Sequence, residues 1–67
     1  MKIILNNREE EFEVDEMTVS EMLDLKKFSF RMRIVKINGE LISRDKYNTT
    51  IIHDRDNIQM FYLMSGG

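Results

Sequence analysis

The chain closes on Ser65-Gly66-Gly67, and two of its three glycines are the last two residues. Gly is about 7% of average sequence, so a terminal pair arises by chance about once in 200 chains. Without Cβ atoms this end is thin and conformationally free, so it can thread a narrow channel. The group it would deliver is the Gly67 carboxylate. A carboxylate is inert toward nucleophiles until a partner that binds ATP converts it to an acyl-phosphate or acyl-adenylate. The activated carbon can then accept sulfur, giving a thiocarboxylate, or an amine, giving an amide link. The chain itself has no phosphate-binding loop, because Gly39 stands alone in the interior. It also has no cysteine. A sulfur cargo therefore has the Gly67 acyl carbon as its one plausible attachment point, with Ser65, Gly66 and Gly67 as the segment threaded into a partner.

Other candidate groups point to no catalytic site. His53 is the single histidine, and with no Cys or second His beside it a metal site is not expected. Glu9, Glu10 and Glu11 are adjacent carboxylates, but neighbouring residues on a strand point to opposite faces, so they do not form a catalytic pair. No bound cofactor and no catalytic residue are expected.

The elements that must carry the tail are legible from periodicity. Ile3 and Leu5 alternate against Lys2, Ile4 and Asn6; after the turn-prone Asn6-Asn7-Arg8, Phe12 and Val14 alternate against Glu11 and Glu13. These runs predict an antiparallel hairpin with one wet face. Thr18-Val19-Ser20-Glu21 has the form of a capping box, with Met17 and Met22 placed as a hydrophobic staple. Val19, Met22 and Leu23 follow as an apolar helical stripe, ending near Lys26 and Lys27, whose charges suit the negative end of the helix dipole. Arg33 to Asn38 predicts a third strand and Asn38-Gly39 a tight turn. Leu41 and Ile42 return, Ser43 to Asn48 suits a single helical turn with Tyr47 tucked in, and Thr50 to Ile52 is a weaker apolar piece. Asp54 to Asn57 is a turn, and Ile58 to Met64 is the last strand, leading directly into the glycines.

A hairpin cannot bury its apolar face alone. The economical arrangement lays one main helix across one face of a mixed four- to five-stranded sheet, with the last strand beside the first near the centre. That is an α+β, ubiquitin-like β-grasp. Residues 1–67 form one domain, with 65–67 as a flexible tail.

Composition agrees. The chain is 42% hydrophobic and 33% charged with no Pro, a globular balance. A domain of 67 residues has little interior for an enclosed active site, which favours function at a surface or terminus. No apolar run has membrane-spanning length, the N-terminus is too polar for a signal peptide, and cysteine is absent, so a cytoplasmic protein is expected. Eight acidic residues fall between Glu9 and Asp24 and five basic ones between Lys26 and Lys36. They are read as solvated faces. Nucleic-acid binding is not expected, since the net charge is −2 and Phe28 and Phe30 are assigned to the core rather than to base stacking.

Over essentially its whole length the chain resembles the thiamine-biosynthesis sulfur carrier family (ThiS). The resemblance rests on the first strand Lys2–Asn6, the helix start Thr18-Val19-Ser20-Glu21-Met22-Leu23 and the segment Val35-Lys36-Ile37-Asn38-Gly39-Glu40. It rests further on the step Asp56-Asn57-Ile58 and the end Ser65-Gly66-Gly67. Many relatives have Gly where Arg55 stands here. The resemblance implies a non-enzymatic carrier. An adenylating (E1-like) enzyme would use ATP to activate Gly67, a sulfur donor such as a cysteine desulfurase would supply the sulfur, and a thiazole synthase would consume the thiocarboxylate. Related readings are a molybdopterin synthase small subunit, whose chains tend to be longer, and a ubiquitin-like modifier conjugated through Gly67. A plain interaction module with an idle tail is the remaining alternative.

A partner surface is predicted from the last strand. If Ile58, Met60 and Tyr62 face the helix, Phe61 and Leu63 face outward beside the tail, and Ile34 and Ile4 on neighbouring strands extend the patch. The opposite register would make Phe61 a core residue.

Overall fold

The computed structural model describes residues 1–27 and 33–62. The element order is β1 (Lys2–Leu5), β2 (Arg8–Glu11), β3 (Met17–Thr18), α1 (Val19–Leu25), β4 (Arg33–Ile37), β5 (Glu40–Ile42), a 3-10 turn (Arg44–Lys46), β6 (Ile51–Ile52) and β7 (Asn57–Tyr62). Five strands form one sheet in the order β2-β1-β7-β4-β5, and β3 and β6 pair as a separate ribbon. β1 and β7 run parallel at the centre while the remaining neighbours in the sheet are antiparallel. The sheet is therefore mixed, with the last strand in its middle, as the pattern predicts.

The first hairpin is tighter than its sequence suggests. Asn6 and Asn7 both have positive φ, 49° and 68°, the two-residue turn whose twist matches paired strands. The return strand accordingly starts at Arg8 rather than Glu11, and Ile3 stands opposite Glu10. Phe12 continues the pairing: its N–H donates to Met1 O at 2.8 Å, and the Met1 ammonium donates to Phe12 O at 2.8 Å. Val14 lies beyond the strand and is 45% exposed, so it is not the core residue that alternation implied. Glu10 sits on the helix side, where its Oε1 accepts from Lys26 Nζ at 2.7 Å. That bond fastens the sheet edge to the end of α1.

The capping box is realised in full. Glu21 N–H donates to Thr18 Oγ1 at 3.1 Å, and Thr18 N–H donates to Glu21 Oε1 at 2.9 Å. The next orphan donors at the helix start, Val19 N–H and Ser20 N–H, reach Thr50 O and Tyr47 O, both at 3.0 Å. The polar stretch before β6 thus serves the helix as a backbone cap. Lys26 is the C-cap, and Lys27 follows at φ 58°, ending the helix where the sequence places its end. Val19, Met22 and Leu23 form the buried stripe and Met17 is buried beside Met22.

These side chains meet Ile3, Leu5, Val35, Ile52, Ile58 and Met60 in one core, closed at one end by Tyr47. Each such large apolar side chain, fully buried, contributes roughly 1.5–3 kcal/mol. Tyr47 also lies beneath Arg33, whose guanidinium carbon is 5.6 Å from the ring centroid. This contact holds the 3-10 turn against the start of β4. Phe28 and Phe30, assigned to the core from sequence, lie outside the described residues.

Candidate partner-docking face

Alternation along β7 decides which side chains face away from the helix. Ile58 and Met60 are 0% and 5% exposed, whereas Phe61 is 48% exposed. The register with Phe61 outward is therefore the one adopted. Tyr62, read with the inward set, is 42% exposed at the sheet rim, where its hydroxyl can reach water. Leu63, Ser65, Gly66 and Gly67 lie outside the described residues.

Across the sheet, Phe61 pairs directly with Ile34 on β4, close enough for the two side chains to touch. Ile34 is only partly buried, so the pair forms an apolar surface. Ile4 shares this outer face but stands beside Asn57 on the far side of β7. Four residues along a strand is about 13 Å, and Gln59 lies between Ile4 and Phe61. One residue of this face was not singled out from sequence. Leu41 on β5 is 61% exposed and opposite Lys36, which makes it the diagonal neighbour of Ile34. Its three-residue strand is too short to show a period, so no sequence signal marks its face.

The start of β7 is fixed by side chains of three turns. Asn38, at φ 51° in the β4–β5 turn, accepts from Asn57 N–H at 2.9 Å and donates from Nδ2 to Asp56 Oδ1 at 3.0 Å. Asp56 Oδ2 in turn accepts from His53 N–H at 2.8 Å. Asn6 Oδ1 accepts from Met60 N–H at 2.8 Å, extending the β1–β7 ladder past the last residue of β1. β7 is thus gripped on the β1 side as far as Met60 and on the β4 side as far as Tyr62.

No side chain among the described residues that is polar or charged is buried. No group of three or more His, Cys, Asp or Glu among them could hold a metal ion. His53 is exposed, 4.0 Å from the Glu16 carboxylate. No helix among the described residues is long and apolar enough to cross a membrane. Two open grooves lie beside β5, of about 390 Å³, and between the first turn and Lys26, of about 450 Å³, the second holding the Lys26–Glu10 ion pair.

A mixed five-stranded sheet with the closing strand at its centre and one helix across a single face is the ubiquitin-like β-grasp, here with an apolar outer face at the root of a Gly-Gly tail. The chain belongs to the ThiS family, whose model matches residues 2–67. It is similar to a thiamine biosynthesis protein (ThiS) from Geobacter metallireducens, whose crystal structure superimposes with a TM-score of 0.90 at 26% identity, covering 100% of both chains. A solution structure of a thiamine biosynthesis protein from the same organism gives 0.81 at 26% identity, covering 100% of this chain and 88% of the other. A comparison with curated proteins returns no match.

Proposed function

We propose that the chain is a cytoplasmic sulfur carrier of thiamine biosynthesis that works as a protein-sized co-substrate rather than as an enzyme. The observation that carries this reading is the ThiS family match, which extends through the tail to residue 67. An adenylating enzyme docks on the outer face around Phe61, Leu63, Ile34 and Ile4 and receives Ser65, Gly66 and Gly67 in its channel. The Gly67 carboxylate attacks the α-phosphate of ATP and pyrophosphate leaves. The terminal sulfur of a persulfide on a donor such as a cysteine desulfurase then attacks the acyl carbon and AMP leaves; two thiol equivalents reduce the resulting acyl disulfide, releasing the thiocarboxylate and the donor's cysteine thiol. A thiazole synthase takes the sulfur in exchange for an oxygen from its substrate or from water, and the regenerated carboxylate re-enters the cycle.

One feature supports this division of labour: β7, which leads in sequence to the Gly-Gly end, is the central strand of the sheet and is held between β1 and β4.

The test is the intact mass of the protein from cells starved of thiamine. One oxygen exchanged for one sulfur, lost when Gly67 is deleted, is the expected result; an unchanged mass counts against the reading. Gene deletion should produce thiamine auxotrophy. A requirement for the molybdenum cofactor instead would assign the chain to molybdopterin synthase. Covalent ladders on a denaturing gel that vanish with Gly67 would identify a protein modifier.

A further inference from the structure

We propose that Leu41 and Lys36 extend the docking face to the β5 edge, and that the enzyme that activates Gly67 meets them with an apolar surface carrying a carboxylate. This inference rests on the sulfur-carrier reading and adds to it the chemistry of the partner's surface. Leu41 faces Lys36 across β4–β5, and Lys36 faces Gln59 across β4–β7. Ile34 therefore stands directly opposite Phe61 and diagonal to Leu41 on the outer face, with Lys36 beside it. Lys36 is partly buried, yet it makes no hydrogen bond or ion pair with any of the described residues. The other half-buried lysine, Lys26, is held by Glu10 at 2.7 Å. A half-buried ammonium with no partner among the described residues, between Leu41 and Gln59, matches a carboxylate brought to it as water leaves the interface.

Reach selects the occupant. The five residues 63–67 span at most ~17 Å, so the enzyme that reacts with Gly67 must stand beside Phe61.

The experiment titrates the full chain against the adenylating enzyme of the same cell, measuring Kd and kcat/KM for ATP–pyrophosphate exchange. Leu41→Glu and Lys36→Glu are each expected to weaken binding about tenfold or more, because each sets a new carboxylate against a partner surface that is apolar and acidic. Leu25→Glu is the control, because Leu25 on α1 is also 61% exposed but lies off the face; it should stay within about twofold of the parent chain, below the threshold of a hot spot. Lys36→Met removes the charge without reversing it and should fall between parent and Lys36→Glu. Circular dichroism checks that each variant is folded. If the parent is activated and Leu41→Glu and Lys36→Glu bind like it, or Leu25→Glu loses as much, the inference fails while the sulfur-carrier reading stands. If the parent is not activated, both fail. A homodimer in sedimentation that Leu41→Glu abolishes would give the face to a second copy and overturn the proposal.

Discussion

Arg55 occupies a backbone position that its side chain does not favour. Its φ is 70°, in the left-handed region that costs an L-residue roughly 1–2 kcal/mol. The turn keeps it there because the Arg55 N–H donates to Lys2 O at 2.6 Å, tying the β6–β7 turn to β1. The side chain gives little in return: it is 90% exposed, 3.7 Å from Asp54, an exposed pair of small value. Gly would occupy this place without that cost. Arg55→Gly should therefore stabilise the protein by about 0.5–1 kcal/mol, the relief of strain less the extra entropy Gly loses on folding. The check is a rise in the urea midpoint with unchanged m-value. Phe61 is the opposite kind of residue, exposed without structural need. Phe61→Asp should leave the thermal midpoint nearly unchanged and lower adenylation and sulfur transfer about tenfold or more, as loss of an aromatic anchor does. Normal transfer by that variant would remove Phe61 from the docking face.

The elements owe their limits to local devices that differ in how far they can be read from sequence. Thr18→Ala removes the side-chain half of the capping box and should cost about 1 kcal/mol, seen in thermal unfolding and in faster amide exchange across 19–22. That box, the α1 stripe, the Asn38-Gly39 turn and the alternation of β7 were legible because each is a contact between residues a few positions apart. The outward face of Phe61 and Ile34 followed from the same period. Other features were not legible, for stated physical reasons. The start of β2 depends on turn length, and Asn6-Asn7 closes the hairpin in two residues where three polar residues were available. β3 and β6 are two residues each, too short for a pattern, and exist because each pairs with the other. Asn6 as an extra rung beside Met60, and Leu41 as part of the outer face, are products of tertiary register. Each became visible only when strands from distant parts of the chain were side by side.

At the scale of the whole molecule, the eleven apolar residues buried among those described are a small reserve. A core in a domain of this size rarely supplies more than about 3–5 kcal/mol. Ile58 is 0% exposed and sits in the central strand, so Ile58→Ala, at about 2–5 kcal/mol for a large-to-small core change, should consume most or all of it. The variant is expected to be largely unfolded at 37 °C by far-UV circular dichroism, and a cooperative native transition there would show that the core is deeper than its size suggests. The placing of β7 has a further consequence for how such a protein is made. Because β1 and β4 are neighbours only through β7, a nascent polypeptide still lacking Ile58 to Tyr62 has two half-sheets with no middle plank and cannot close its core. Folding must wait until translation has passed that strand, and a product cut short before it stays open to proteases. Compactness thereby reports that synthesis has passed β7, the strand that joins the two halves of the sheet.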